Sequence, residues 1–223
     1  MTVQTRGTLD KEIRSVEEDL IRITDLVKSA IQRAIQALAD RDSRAAQDII
    51  TSDSHINDLR FKVEQMCLTT IATQQPMARD LRELMAAMVV VTELERMGDH
   101  AAGIAKIAQW MEEQPQGHFP RRLQTMVDHS VDMLEQVMDA LMARDAEAAR
   151  VVAAHDDEID RLHRDLFAEL VENTLANERD SNAALNLLFA SHNIERIGDR
   201  ITNIAERVIF VVEGKLEELN VNH

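Results

Sequence analysis

Two stretches 100 residues apart, TELERMGDHAAGIA from Thr92 and HNIERIGDRITNIA from His192, each place a glutamate four residues before an aspartate. The pairs are Glu95 with Asp99 and Glu195 with Asp199. On a helix, residues four apart share one face, and like charges there repel by a few tenths of a kcal/mol. Upstream in each copy stands a companion pair, Asp53 with Asn57 and Asp156 with Asp160. Four oxygen-bearing side chains converging in a partly dry place cannot all stay ionised unless a cation joins them. An all-oxygen set suits hard or borderline ions: Mg, Mn, Ca or Fe, with Zn also accepting carboxylates. Gly98 and Gly198, between the members of each later pair, would let a neighbouring helix come close to the backbone.

Blander readings compete with the metal reading. A lone acidic pair on a helix is usually a solvated face, and Arg96 or Arg196 could neutralise it. The duplication of both motifs, on stripes that otherwise read as core, sets the metal reading level with the bland one. A ferritin-like di-metal enzyme would need Glu-x-x-His, but glycine stands three residues after Glu95 and Glu195; Asp160 with His163 is a lone partial match. No phosphate-binding glycine loop and no Gly-x-Ser-x-Gly elbow occurs, so a non-enzyme is expected. Cys67 reads as a small core residue and His192 as a core histidine one turn before Glu195. His100, turned about 100° from Asp99, reads as exposed.

The elements that must position these residues are helices. With only 6 Gly and 3 Pro in 223 residues, no Tyr, and abundant Ala, Leu, Glu and Arg, the chain is expected to be all-α. Six helices are predicted, near 8–41, 43–73, 76–113, 120–143, 145–176 and 179–217, with Asp42 or Ser43 and Asp145 as N-caps. Pro76 and Pro120 suit first helical turns. On the third helix Leu81, Leu84, Met85, Met88 and Thr92 form an apolar stripe that Glu95 and Asp99 continue. Leu185, Leu188 and His192 lead into Glu195 and Asp199 in the same way. Asp53 stands among Ile49, Ile56, Val63 and Cys67, and Asp156 and Asp160 beside Ile159 and Leu166.

LADRDSRAAQDIITSDSHINDL from Leu38 matches LMARDAEAARVVAAHDDEIDRL from Leu141, so the chain reads as a tandem repeat. Two three-helix bundles are expected, 1–115 and 116–223, joined by QPQGHFP, with Trp110 and Phe119 sealing the junction. A formal charge of −15 argues against nucleic acid and anionic membranes. A single cysteine, no signal-peptide core and no apolar run near ~20 residues predict a cytoplasmic protein without a membrane span.

ERMGDHAAGIA and ERIGDRITNIA, the upstream QPMARDLREL and the DDEID segment closely resemble the PhoU family over nearly the full length. The resemblance implies a cytoplasmic negative regulator of phosphate uptake and phosphate-starvation signalling, often a homodimer. It also implies action through the ATPase-bearing phosphate ABC transporter and a PhoR-type sensor kinase, with iron or zinc clusters in some members. The family's Glu/Asp-x-x-x-Asp motifs fall on Glu95 with Asp99, Glu195 with Asp199, and Asp156 with Asp160; Asp53 with Asn57 departs from the pattern. A metal-free helical adaptor and a di-metal helical enzyme are the alternatives.

Overall fold

A computed structural model describes residues 2–113, 119–176 and 181–219, all helix and short connections, with no strand among them. Seven helices follow in order: α1 (Thr2–Asp40), α2 (Ser43–Gln74), α3 (Arg79–Trp110), α4 (Arg121–Ala143), α5 (Ala146–Ala154), α6 (Asp156–Ala176) and α7 (Ser181–Glu213). Helices α1–α3 pack as one bundle; α4, α7 and the α5–α6 pair form the other. None of the described helices is long and apolar enough to cross a membrane.

The heptad-like spacing of Val16, Leu20, Ile23, Val27, Ile31 and Leu38 gives α1 an apolar face turned into its bundle, and all six are buried. Its end is repeated at the end of α4. Arg41 and Arg144 adopt left-handed conformations (φ 56° and 55°), and the next amides, of Asp42 and Asp145, donate back to Ala37 and Ala140 at 2.9 Å. The same two aspartates then cap the following helices, accepting from the Ala45 and Ala148 amides at 2.9 and 3.0 Å. Arg144 also bonds Glu83 at 2.7 Å and Glu17 at 3.2 Å, fastening the second half to the first.

The first helix starts at Thr2 rather than near 8 and the last ends at Glu213 rather than 217, and two further differences bear on the site. The third helix begins at Arg79 rather than Pro76, because Ala78 takes φ 49° and leaves the helical region. The long helix expected over 145–176 breaks at His155, where i to i+3 bonds (His155 to Val152, Glu158 to His155) replace the α pattern. The acid-rich start Asp156, Asp157, Glu158 thereby gains a new helix N-terminus, where negative charge is stabilised. Cys67 is fully buried, as expected, and burial pushes its thiol up to about 11, which keeps it inert. Trp110 is 62% exposed and Phe119 packs at the core's edge; residues 114–118 of the expected linker QPQGHFP lie outside the described residues.

The halves meet along α3 and α7, which run antiparallel: Arg82 bonds the Val211 carbonyl, Glu93 meets Asn203, and His100 meets Asn193. The buried Glu93 accepts from Arg200 at 3.3 Å and from Asn203 at 3.2 Å. The repeat maps Glu93 onto Asn193 and Arg200 onto His100, and Asn193 meets His100 at 3.1 Å. One polar contact thus occurs twice about a pseudo-twofold axis, once as an ion pair and once neutral. Gly103 permits the close crossing, since a Cβ there would lie 2.8 Å from Asn193 Oδ1. His100 is half-buried rather than exposed, because the 100° offset that turns it from Asp99 points it at α7.

Burial, with Arg200 and Arg196 nearby, holds the His100 imidazole below its usual range despite the Asn193 bond. The native state therefore keeps it neutral while the unfolded chain takes up the proton. Its contribution is fully present above the ordinary histidine pKa of about 6.5 and is lost as pH falls below that value. Chemical denaturation at pH 7.5 and pH 5.5 is expected to show a larger acid-induced loss in the wild type than in His100→Gln.

Candidate metal centres in two equivalent grooves

Each half carries a groove, between α2 and α3 in the first and between α6 and α7 in the second. Residues 53, 57, 60, 64 and 68 recur at helical spacing on α2, and 81, 85, 88, 92, 95 and 99 do so on α3. The carboxylates occupy the inner ends of these stripes, near the pseudo-twofold axis. The outer ends were expected to be core. Instead Met85 and Leu185 are 48% and 50% exposed, so the stripe faces solvent at its outer end.

In the first groove Asp53, Glu95 and Asp99 are close enough to repel one another. Burial and then the Asp99 charge push the Asp53 carboxyl up, with Lys106 opposing. Burial and Asp99 likewise raise Glu95, against Arg60, whose Nε lies 3.5 Å from Glu95 Oε1. Asn57 donates its amide to Asp53 Oδ2 at 3.3 Å, so here it serves as a donor to the acid. Asp53 Oδ1 is buried without a hydrogen-bond partner.

The second groove holds the same framework with different neighbours. Asp156 and Asp160 are only 4% and 6% exposed, deeper than their counterparts. Thr202 donates to Asp156 Oδ2 at 3.4 Å. Burial, followed by Asp199, raises Glu195, and Asp160 adds to the effect. Arg196 pairs with Asp199 at 2.8 Å, as the sequence allowed, whereas Arg96 turns to Glu93 at 3.5 Å.

Two histidines complete this groove. His192 is 59% exposed on its side chain, not a core residue, and its Nδ1 lies 3.2 Å from Glu195 Oε2. His163 stands where the first half has Arg60. Burial and the neighbouring His192 keep it below the usual histidine range. Ser191 donates its hydroxyl to the Leu188 carbonyl at 2.9 Å, so at 3.0 Å it accepts from His163 Nδ1–H, leaving Nε2 with its lone pair. At this position the second groove therefore has a neutral imidazole where the first has a fixed cation. Aligning the repeats 103 residues apart sets Arg60 against His163, a signal that inspection of the acidic motifs alone passes over.

Among the described residues, no group of three or more His, Cys, Asp or Glu side chains already closes around a point that would hold a metal ion. The donors fit one chemically: mutually repelling acids, an unpartnered buried oxygen at Asp53, and glycines that bring the acids against helix backbone. A Cβ at Gly198 would lie 2.3 Å from Asp156 Oδ1, while one at Gly98 would meet the flexible tip of Ile56 at 2.9 Å and Asp53 Oδ1 at 3.2 Å.

Alanine normally improves a mid-helix glycine by about 0.5–1 kcal/mol, but crowding a packed site costs about 1–3 kcal/mol. Gly198→Ala is therefore expected to destabilise the protein by about 1–2 kcal/mol, and Gly98→Ala to be near neutral because Ile56 can swing aside. Urea unfolding of both variants measures the difference; equal effects would mean that Asp156 moves away freely.

The PhoU domain model matches residues 20–108 and 123–208. The phosphate-specific transport system accessory protein PhoU homolog of Clostridium acetobutylicum is 31% identical over 217 residues, spanning 97% of this chain and 99% of that protein. The crystal structure of the phosphate transport system regulatory protein PhoU from Streptococcus pneumoniae superposes with a TM-score of 0.88 at 30% identity, covering 95% of this chain and 100% of that one. PhoU from Pseudomonas aeruginosa superposes with a TM-score of 0.85 at 32% identity, over 92% of this chain and 99% of that one.

Proposed function

This chain belongs to the PhoU family, and on that premise we propose that it is a cytoplasmic negative regulator of phosphate uptake and phosphate-starvation signalling. It acts on the phosphate ABC transporter through the ATPase subunit and on a PhoR-type sensor kinase. The observation that carries this reading is likeness over the whole chain to proteins named as accessory or regulatory components of phosphate transport. A non-enzyme fits those names. The di-metal enzyme alternative also meets a steric objection: Gly98 and Gly198 occupy the place of the Glu-x-x-His ligand and are pressed against Ile56 and Asp156.

We further propose that both grooves bind divalent or trivalent cations, through Asp53, Asn57, Glu95 and Asp99 in the first and Asp156, Asp160, Glu195 and Asp199 in the second. A bound cation would supply positive charge and fixed geometry, with no chemistry of its own required. Arg60 already offsets part of the first cluster's charge and Asn57 adds none. The second cluster has four acids and the neutral His163, so it is the tighter site.

Deletion of the gene, in cells lacking an overlapping paralogue, is expected to derepress phosphate-starvation transcription in high phosphate. Unchanged transcription and uptake would refute the regulatory reading. For the metal sites, titration with Mn or Zn is expected to show Asp199→Ala losing the tightest binding by at least about tenfold, roughly 1.4 kcal/mol, and Asp99→Ala losing less. Circular dichroism should show helices intact in both, since alanine is the better helix former. Equal metal uptake by wild type and the double variant would make these acids ordinary surface groups.

A further inference from the structure

The outer ends of the grooves hold apolar side chains that neither bundle uses. Leu68 and Met85 in the first groove take the positions of Val171 and Leu185 in the second, and Phe189 extends the latter; all five are exposed. Their helices bury other faces, such as Val63, Cys67, Leu84, Leu187 and Ala190, so these residues are not needed to fill the core. Two matching apolar patches on one chain are more than scattered surface hydrophobics.

Three features narrow what can cover them. The patches are related by the pseudo-twofold axis between α3 and α7. Those helices are antiparallel, so the two grooves run in opposite directions, and one straight partner helix would meet them with opposite polarity. The chain carries a net charge of −15, which selects against an acidic partner and attracts a basic one.

We propose that the two groove ends form one docking surface for a twofold-symmetric homodimeric protein, each of whose subunits lays an apolar helix with basic flanks into one groove. The inference rests on the transporter reading above, and within it the partner of this kind is the ATPase subunit in its dimeric state. The internal repeat then has a mechanical use: one asymmetric chain bridges two identical subunits and senses their separation.

The test titrates the purified ATPase subunit, held as an ATP-bound dimer, against the wild-type chain, Met85→Asp, Leu185→Asp and the double variant. Met85→Ser and Leu185→Ser serve as milder versions, and thermal melts confirm folding. One chain should bind per ATPase dimer, each aspartate variant should weaken binding at least tenfold to a similar extent, and the double variant should not bind detectably. Full binding by either folded single variant, or one chain per ATPase subunit, would overturn the two-groove surface while leaving the transporter reading intact. Normal ATPase binding together with loss of self-association in sedimentation would assign the face to a second copy of this chain, again overturning it. Failure of the wild type to bind the ATPase would remove the transporter reading and this inference together.

Discussion

The antiparallel packing of α3 on α7 is the constraint on which the rest depends. It holds a buried glutamate, Glu93, against Arg200 and Asn203. Removing one partner of a buried ion pair typically costs about 3–5 kcal/mol, because the remaining charge is left without compensation. A junction built this way fixes the register of the two helices. Since α3 and α7 also carry Glu95, Asp99, Glu195 and Asp199, the register places both carboxylate clusters near one axis.

Within each groove the central problem is charge. Burial and mutual repulsion raise Asp53, Glu95 and Glu195 together. The first half answers partly with Arg60, stacked 4.2 Å over Phe61 and paired with Glu64 as well as Glu95. The second half has no guanidinium at that place and offers His163 instead. One position in a duplicated framework thus carries a guanidinium in the first half and a neutral imidazole in the second, where Arg196 pairs with Asp199 instead.

Much of this was legible beforehand because it is local. The all-α class followed from scarce Gly and Pro, the caps at Asp42 and Asp145 from residue type, and the repeat from self-comparison. Where reading failed, the cause was long-range. Periodicity groups Leu81, Met85, Glu95 and Asp99 on one face but does not say whether a neighbour covers it, and an open groove has the same periodicity as a core. His192 was misplaced for that reason. His100 came out half-buried because a partner helix nearly a hundred residues away in sequence, α7, lies beside it. The break at His155 has no Gly or Pro to announce it, and its counterpart Ser52 sits inside the unbroken α2.

The pseudo-twofold junction also frees the molecule from a rule that binds true homodimers. Where two identical chains meet on an axis, every contact is made twice and every mutation is felt twice. Joined in one polypeptide, the two sides of the axis vary independently, so Glu93 can face Arg200 on one side while Asn193 faces His100 on the other. Selection can then act on one cluster without disturbing its twin. A symmetric scaffold that carries two carboxylate clusters of different composition becomes accessible through single substitutions.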